Sequence, residues 1–317
     1  MGRQADGTGE VAEGLVHARV LVIGEALVDI VQRDGIGAQE SPGGSSANVA
    51  LTLGRLGRPS ILLTALGDDE RGDRIRAWLD ASGVRVLAGP LERTSTASAV
   101  LSADGSASYE FDLHWRLDAV HPPRAGIVHS GSLAALLEPG ASQVRGIVTA
   151  MRPEALVTYD PNIRPALLPD PQAARQAVLA AVASADLVKA SDEDMSWLHP
   201  GEDPVEVARR WLATGPAVVV ITRGAQGAVA VSRSGEVRVA APTTAVVDTV
   251  GAGDSFMGAL IDGLIDTGLA DASAREALHG VDGATLEALL QFAVATAAVT
   301  VSRPGADPPR RAEIMAL

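Results

Sequence analysis

Ser45–Gly67, "SSANVALTLGRLGRPSILLTALG", is the stretch that decides the fold. Its first half sets apolar residues at helical spacing behind a polar opening, and Gly57 closes it. Its second half, from Pro59, is an apolar run ended by Gly67, as in a buried strand. Before it, "RVLVIG" (Arg19–Gly24) reads as another short β-branched strand. After it, "RGDRIRAWLDASG" (Arg71–Gly83) reads as an amphipathic helix stopped by glycine. Strands alternating with helices predict a parallel sheet covered on both faces.

The alternation breaks at Thr96–Asp118, "TASAVLSADGSASYEFDLHWRLD". Two alternating runs flank "ADGSA", a hairpin signal with no helix between them. This predicts an antiparallel ribbon added to the α/β body as a lid, contributed roughly by 28–42 and 95–120. Beyond it the spacing predicts strands at Ala125–Gly131, Ala155–Asp160, Asp186–Ala190 and Ala217–Gly224. Helices are predicted at Gly140–Met151, Pro171–Ala183, Pro204–Ala213, Asp254–Thr267 and about Thr285–Val301. "GAVAVSRSGEVRVAA" (Gly227–Ala241) reads as a further hairpin. The expected fold class is α/β: a doubly wound, mostly parallel sheet with a small β-sheet lid, in one domain over 19–317.

Composition removes several chemistries. With 26 basic and 39 acidic residues, the net charge is −13. Such a chain repels nucleic acid and anionic membranes, and no basic run offsets the field. There is no Cys, so disulfides, thiolate nucleophiles and Cys-zinc sites are excluded. Lys189 is the only lysine and hence the sole Schiff-base candidate. Residues 1–18 are Gly-rich and acidic without a signal-peptide core, which predicts a poorly ordered tail on a cytoplasmic protein. Stretches such as "FAVATAAVTV" are expected to be too short to cross a bilayer.

Chemistry concentrates after the predicted strands, where doubly wound sheets bind ligands. "DTVGAGDSF" (Asp248–Phe256) places two carboxylates around a Gly-Ala-Gly turn that opens a helix. Glycines let successive N–H groups turn inward, and such a nest at a helix N-terminus binds anions. Asp254 would repel a bound phosphate unless it serves to accept a proton; alternatively it only caps the helix. A dinucleotide fingerprint fails because Phe256 stands where glycine is required. "GGSSAN" (Gly43–Asn48) allows close backbone approach and offers the Asn48 amide to hydroxyls, or is, as it reads on its own, an ordinary loop-to-helix junction with a polar cap. Asp29 in "GEALVD" is either a polyol ligand or a solvated strand-end acid. Arg164 in "DPNIRP" (Asp160–Pro165) is a carboxylate or phosphate clamp, or part of a stiff turn with Asn162. "TRGAQG" (Thr222–Gly227) is a phosphate cradle or an ordinary turn. "KASDED" (Lys189–Asp194) organises a hydrated Mg²⁺ or starts a helix. His114 and Trp115 contact a sugar from the lid or belong elsewhere in the fold. No Walker A, H-E-x-x-H or G-x-S-x-G motif occurs.

Taken together, "PGGSSANVALTLGRLG…TALGDDERGDRI" and "DTVGAGDSFMGAL" resemble the two signatures of the PfkB/ribokinase family of carbohydrate kinases. "YDPNIRP", "VKASDED" and "VTVSRPGADPP" look most like its bacterial fructokinase branch. The resemblance implies ATP and Mg²⁺ as cofactors and a sugar as substrate. It makes Asp254 the base, with Gly251, Ala252 and Gly253 as the anion hole. Asp29, Gly43, Gly44, Asn48, Asn162 and Arg164 fall on the sugar side. Lys189, Thr222, Gly224, Gly227 and Thr249 fall on the nucleotide side. Ser191 and Asp194 match a metal-water pair, with Asp192 or Glu193 sharing the role. Asp248 and the Arg303–Ala306 loop match a K⁺ site, Phe292–Thr296 would border the adenine, and the lid suggests a homodimer.

Two departures stand out. The family's Asn-x-x-Glu appears as Ser191–Asp194, and "FDLHWRLD" (Phe111–Asp118) lacks the Gly-Thr-Ala step of a fructokinase lid. Fructose is the leading substrate, with 2-keto-3-deoxygluconate next and ribose or a nucleoside open. A sugar-binding or regulatory protein on the same fold is the reading from another class, and a hydride-transferring enzyme fails on its glycine spacing.

Overall fold

β1 (Val20–Ile23) is buried along its length and divides the core in two. Val20 and Val22 enter one apolar cluster, Leu21 and Ile23 the other, because side chains alternate across a strand. The structure is a computed structural model and describes residues 19–33, 37–101, 107–118, 120–168 and 170–316. The expected tail, residues 1–18, lies outside them.

After β1, the chain forms β2 (Leu27–Arg33) and β3 (Gly37–Gly43), then α1 (Ser45–Arg55) and β4 (Ser60–Gly67). Next come α2 (Glu70–Asp80), β5 (Arg85–Leu91), β6 (Thr96–Leu101), β7 (Ala107–Asp112) and β8 (Ile127–Gly131). α3 (Gly140–Met151), β9 (Leu156–Asp160), α4 (Pro171–Ser184) and β10 (Leu187–Ser191) continue the alternation. α5 (Asp192–Leu198), α6 (Pro204–Leu212), β11 (Val218–Thr222), β12 (Ala228–Ser232) and β13 (Gly235–Val239) follow. α7 (Ala252–Asp266) and α8 (Gly283–Val301) lie nearer the end.

The large sheet has nine strands in the order β13-β12-β11-β10-β9-β8-β1-β4-β5. Pairing is parallel from β5 to β11 and antiparallel in the β12–β13 hairpin. Helices α1, α7 and α8 supply the cluster on one face, and α3 to α6 the other. β5, "RVLAGPL", has no clean apolar alternation and carries Pro90, so periodicity does not reveal it. Its edge position tolerates that proline, which cannot donate to a ladder.

A second, four-stranded sheet has the order β3-β2-β6-β7. The expected hairpin pairs Thr96–Leu101 with Ala107–Asp112; its turn, 102–106, is outside the described residues. Of the expected lid segment 95–120, the second sheet takes strands only as far as Asp112. After Asp112 the chain turns into the core, where Trp115 and Leu117 are buried. Trp115 Nε1 donates to the Ala134 carbonyl at 2.9 Å, and its ring occupies the space a Cβ on Gly140 would need. Trp115 is therefore a core anchor and not a sugar contact. His114 stays partly exposed and pairs through Nε2 with Asp112 Oδ1 at 2.9 Å.

α8 also corrects an expectation. "FAVATAAVTV" is only part of a helix of 19 residues, long and apolar enough by length and composition to cross a membrane. In the fold this helix packs on α7 and β13, burying Leu286, Leu289, Leu290, Ala293 and Val294 in the core.

Candidate active site

Strand β1 lies between β4–β5 on one side and β8–β11 on the other. The sheet therefore has its switch point there, and ligands bind at the carboxyl ends of strands flanking such a point. Glu25, Asp160, Ser191 and Thr222 stand at or just beyond these ends.

The glycine turn opens α7 as the spacing predicts. Gly251 adopts φ 75°, a left-handed conformation, and a Cβ there would fall 2.7 Å from the Ala306 Cβ. Only glycine satisfies both constraints. Ala252 and Gly253 begin the helix, whose first N–H groups have no intrahelical acceptor. No side chain caps α7, so the capping alternative for Asp254 falls. The Asp254 carboxylate instead turns to α1: Asn48 Nδ2 donates to Oδ2 at 2.8 Å, and Ser45 Oγ donates to Oδ1 at 2.7 Å. Asp254 is only 7% exposed.

The GGSSAN loop wraps the same carboxylate. Gly44 has φ 104°, and a Cβ on it would meet the Glu25 carbonyl oxygen at 2.7 Å. Gly43 packs against the Asp29 carboxylate, leaving no room for a side chain. Burial and the Asp254 charge push Asp29 up to about 6, with Arg164 opposing. Asn162, itself at φ 38°, donates through Nδ2 to Ser45 Oγ at 2.8 Å. Arg164 is exposed, and its guanidinium donates to the Ile163 carbonyl at 3.1 Å.

On the other side of the turn, Lys189 is 3% exposed and pairs with Asp160 Oδ2 at 2.8 Å. A Cβ on Gly253 would stand 3.0 Å from Lys189 Nζ, so the ammonium lies against the anion nest. Burial opposes its charge, but Asp160, Asp194 and Asp254 outweigh that and hold its pKa above the usual value. Thr222 pairs in register with Ser191 across β11 and β10. Gly224 and Gly227 both have positive φ, and a Cβ on Gly227 would meet the Ala241 nitrogen at 2.7 Å. Asp248 accepts from Gly305 N at 2.8 Å and from Val250 N at 3.0 Å, so it ties the strand-to-helix turn to the 303–306 loop. Thr249 accepts from Ala252 N through its carbonyl at 3.3 Å.

Ser191 and Asp194, the expected metal-water pair, also hold the backbone in place. They form a capping box at the start of α5. Asp194 Oδ2 accepts from Ser191 N at 2.9 Å, and Oδ1 accepts from Ile163 N at 2.7 Å. Each of its oxygens accepts one backbone donor, which fastens α5 to the DPNIRP loop. Asp192 and Glu193 remain open: burial pushes Asp192 up, while its hydrogen bond pulls Glu193 down. Among the described residues no cluster of three or more acids or histidines is arranged to hold a metal directly.

Three further residues lie inside the quoted motifs without a role read for them there. Ser45 lies three positions before Asn48, a spacing that puts both on one helix face. Glu25 accepts from Ser45 N and Ala134 N, each at 3.2 Å. Asp160 is the partner of the sole lysine. Each is a short-range neighbour of a motif residue, which is the only signal the sequence carries for it.

The pfkB family carbohydrate kinase profile matches residues 17–313. Fructokinase-1 of Oryza sativa subsp. japonica is 34% identical over 94% of this chain and 97% of its own. A fructokinase of Rhizobium leguminosarum bv. trifolii is 32% identical over 75% of this chain and 77% of its own. Among solved structures, a double-mutant fructokinase from Vibrio cholerae O395, in a fructose-, ADP- and potassium-bound form, superposes with a TM-score of 0.80. It is 26% identical and covers 95% of this chain and 98% of its own. The fold, the glycine turn and the sequence matches agree, and the chain belongs to the pfkB family of carbohydrate kinases.

Proposed function

We propose that the protein transfers the terminal phosphoryl group of Mg-ATP to a primary hydroxyl of fructose. One observation carries this reading: Asp254 is buried beside the Gly251–Gly253 nest, with donors from α1 on both its oxygens. Phosphoryl transfer depends on positioning and on stabilising spread negative charge. The α7 N–H groups and Lys189 supply positive potential for the phosphoryl oxygens. Asp254 accepts the sugar hydroxyl proton, and Asp29 and Asn48 bind neighbouring hydroxyls. Thr222, Gly224, Gly227 and Thr249 border the nucleotide. Asp192 and Glu193 would hold hydrated Mg²⁺, which supplies charge neutralisation when bound. Asp248 and the 303–306 loop would hold K⁺, as the potassium-bound form of the Vibrio enzyme suggests. The second sheet is proposed as the lid, and its exposed face as the contact of a homodimer.

Arg164 favours a second substrate, 2-keto-3-deoxygluconate, whose carboxylate it would pair with. The test is ATP consumption across fructose, 2-keto-3-deoxygluconate, ribose, adenosine and no sugar, with Asp254→Ala in parallel. Turnover confined to fructose, and a loss of about 10²–10⁴-fold in the variant, supports the reading. Binding of fructose without turnover overturns it in favour of a regulatory sugar binder.

A further inference from the structure

We infer that Ser45 is a positioning residue for the general base, held in place by Asn162 and by the buried carboxylate of Glu25. The proposal rests on Asp254 being that base.

The direction of the hydrogen bonds is set by chemistry. An amide nitrogen only donates, so Asn162 Nδ2, at 2.8 Å, makes Ser45 Oγ an acceptor. The single hydroxyl proton is then left for Asp254 Oδ1 at 2.7 Å. Asn162 itself reaches Oδ1 only at 3.4 Å, so Ser45 is the close donor on that oxygen and Asn48 on the other. Each takes one lone pair and prevents the carboxylate from turning, which leaves the remaining lone pairs for an incoming hydroxyl.

Ser45 is placed by the start of α1. Gly44 precedes it and offers no side chain to cap the helix. Glu25 does so from the end of β1: Oε1 accepts from Ser45 N, and Oε2 accepts from Ala134 N beyond β8. This one carboxylate joins the ends of β1 and β8 to α1, the helix whose Ser45 and Asn48 donate to the base. Burial pushes it up to about 7, and no basic residue pairs with it among the described residues. Its part is to accept from the backbone and fix where the Ser45 hydroxyl points.

The test is steady-state kinetics with fructose and ATP on Ser45→Ala, Ser45→Thr, Asp254→Asn and the Ser45→Ala/Asp254→Asn double variant, with fructose binding measured by calorimetry. Loss of a hydrogen bond to a charged group predicts a kcat about tenfold lower in Ser45→Ala. Fructose KM and affinity stay within about threefold, and Ser45→Thr recovers most of kcat. In the Asp254→Asn background, Ser45→Ala adds no further loss, because the two act as a unit. The proposal is overturned if Ser45→Ala changes only KM, if Thr is as slow as Ala, or if the losses multiply. Retained kcat in Asp254→Asn alone would instead sink the base assignment, whatever Ser45 does.

Discussion

Lys189 Nζ stands 2.8 Å from Asp160 Oδ2 and directly against Gly253, so the sole lysine joins a buried ion pair to the anion nest. Removing one partner of such a pair strands the other. Lys189→Met should cost about 3–5 kcal/mol in urea unfolding and lower kcat. Asp160 is pushed up to about 6 by burial, with Lys189 pulling it back. Without the lysine it protonates more readily, so the stability deficit should be largest at alkaline pH, shrink as the pH falls toward about 6, and level off below that, where both proteins hold Asp160 protonated. A deficit that does not vary with pH would refute this account.

Glu25 makes a separate pH prediction. Its folded value is about 7 against 4.5 for the free group. A raised acid contributes stability below its unfolded value, and that contribution is lost as pH rises through the folded one. The penalty at high pH is on the order of 3 kcal/mol. Wild-type Tm should therefore fall more steeply between pH 5 and 8 than that of Glu25→Gln. Parallel curves in calorimetry would show that the carboxyl is not titrating there.

Gly251→Ala tests the nest. A left-handed φ costs a side chain about 1–2 kcal/mol, and the new Cβ meets Ala306. The turn must shift, and the N–H groups with it. Activity should fall at least about 10²-fold while Tm drops by only a few degrees. A variant with near-normal kcat would mean these N–H groups do not meet the phosphoryl group.

Metal handling is assigned by a pair of substitutions. Asp194→Asn leaves one of its two backbone donors facing an amide NH₂ in place of an acceptor and should cost about 1–2 kcal/mol, with little change in the Mg²⁺ concentration giving half-maximal rate. Glu193→Gln should leave stability alone and raise that concentration severalfold. The reverse pattern in a Mg²⁺ titration would return the metal role to Asp194.

The strands and helices of the main sheet were legible because a buried parallel strand is an unbroken apolar run and its crossover helix is amphipathic. β5 was not, since an edge strand with Gly89 and Pro90 loses that pattern. Trp115 stayed open between lid and core for another reason: its neighbours read as ribbon, and the gap beside Gly140 that its ring fills exists only in the tertiary fold. Glycines at 44 and 251 were legible as turn formers from local rules. Ser45 and Glu25 were not, because their importance lies in hydrogen bonds to residues far away in the chain.

Asp254 is 209 residues from Ser45 and 206 from Asn48, and that distance bears on how the protein comes into being. A ribosome has made four-fifths of the chain before the carboxylate exists, and the helix that will grip it waits unfinished until then. Contacts so distant in sequence form slowly, after loop closure has been overcome. In refolding, enzymatic turnover should therefore reappear after far-ultraviolet helicity, and no N-terminal fragment ending before α7 should ever acquire it.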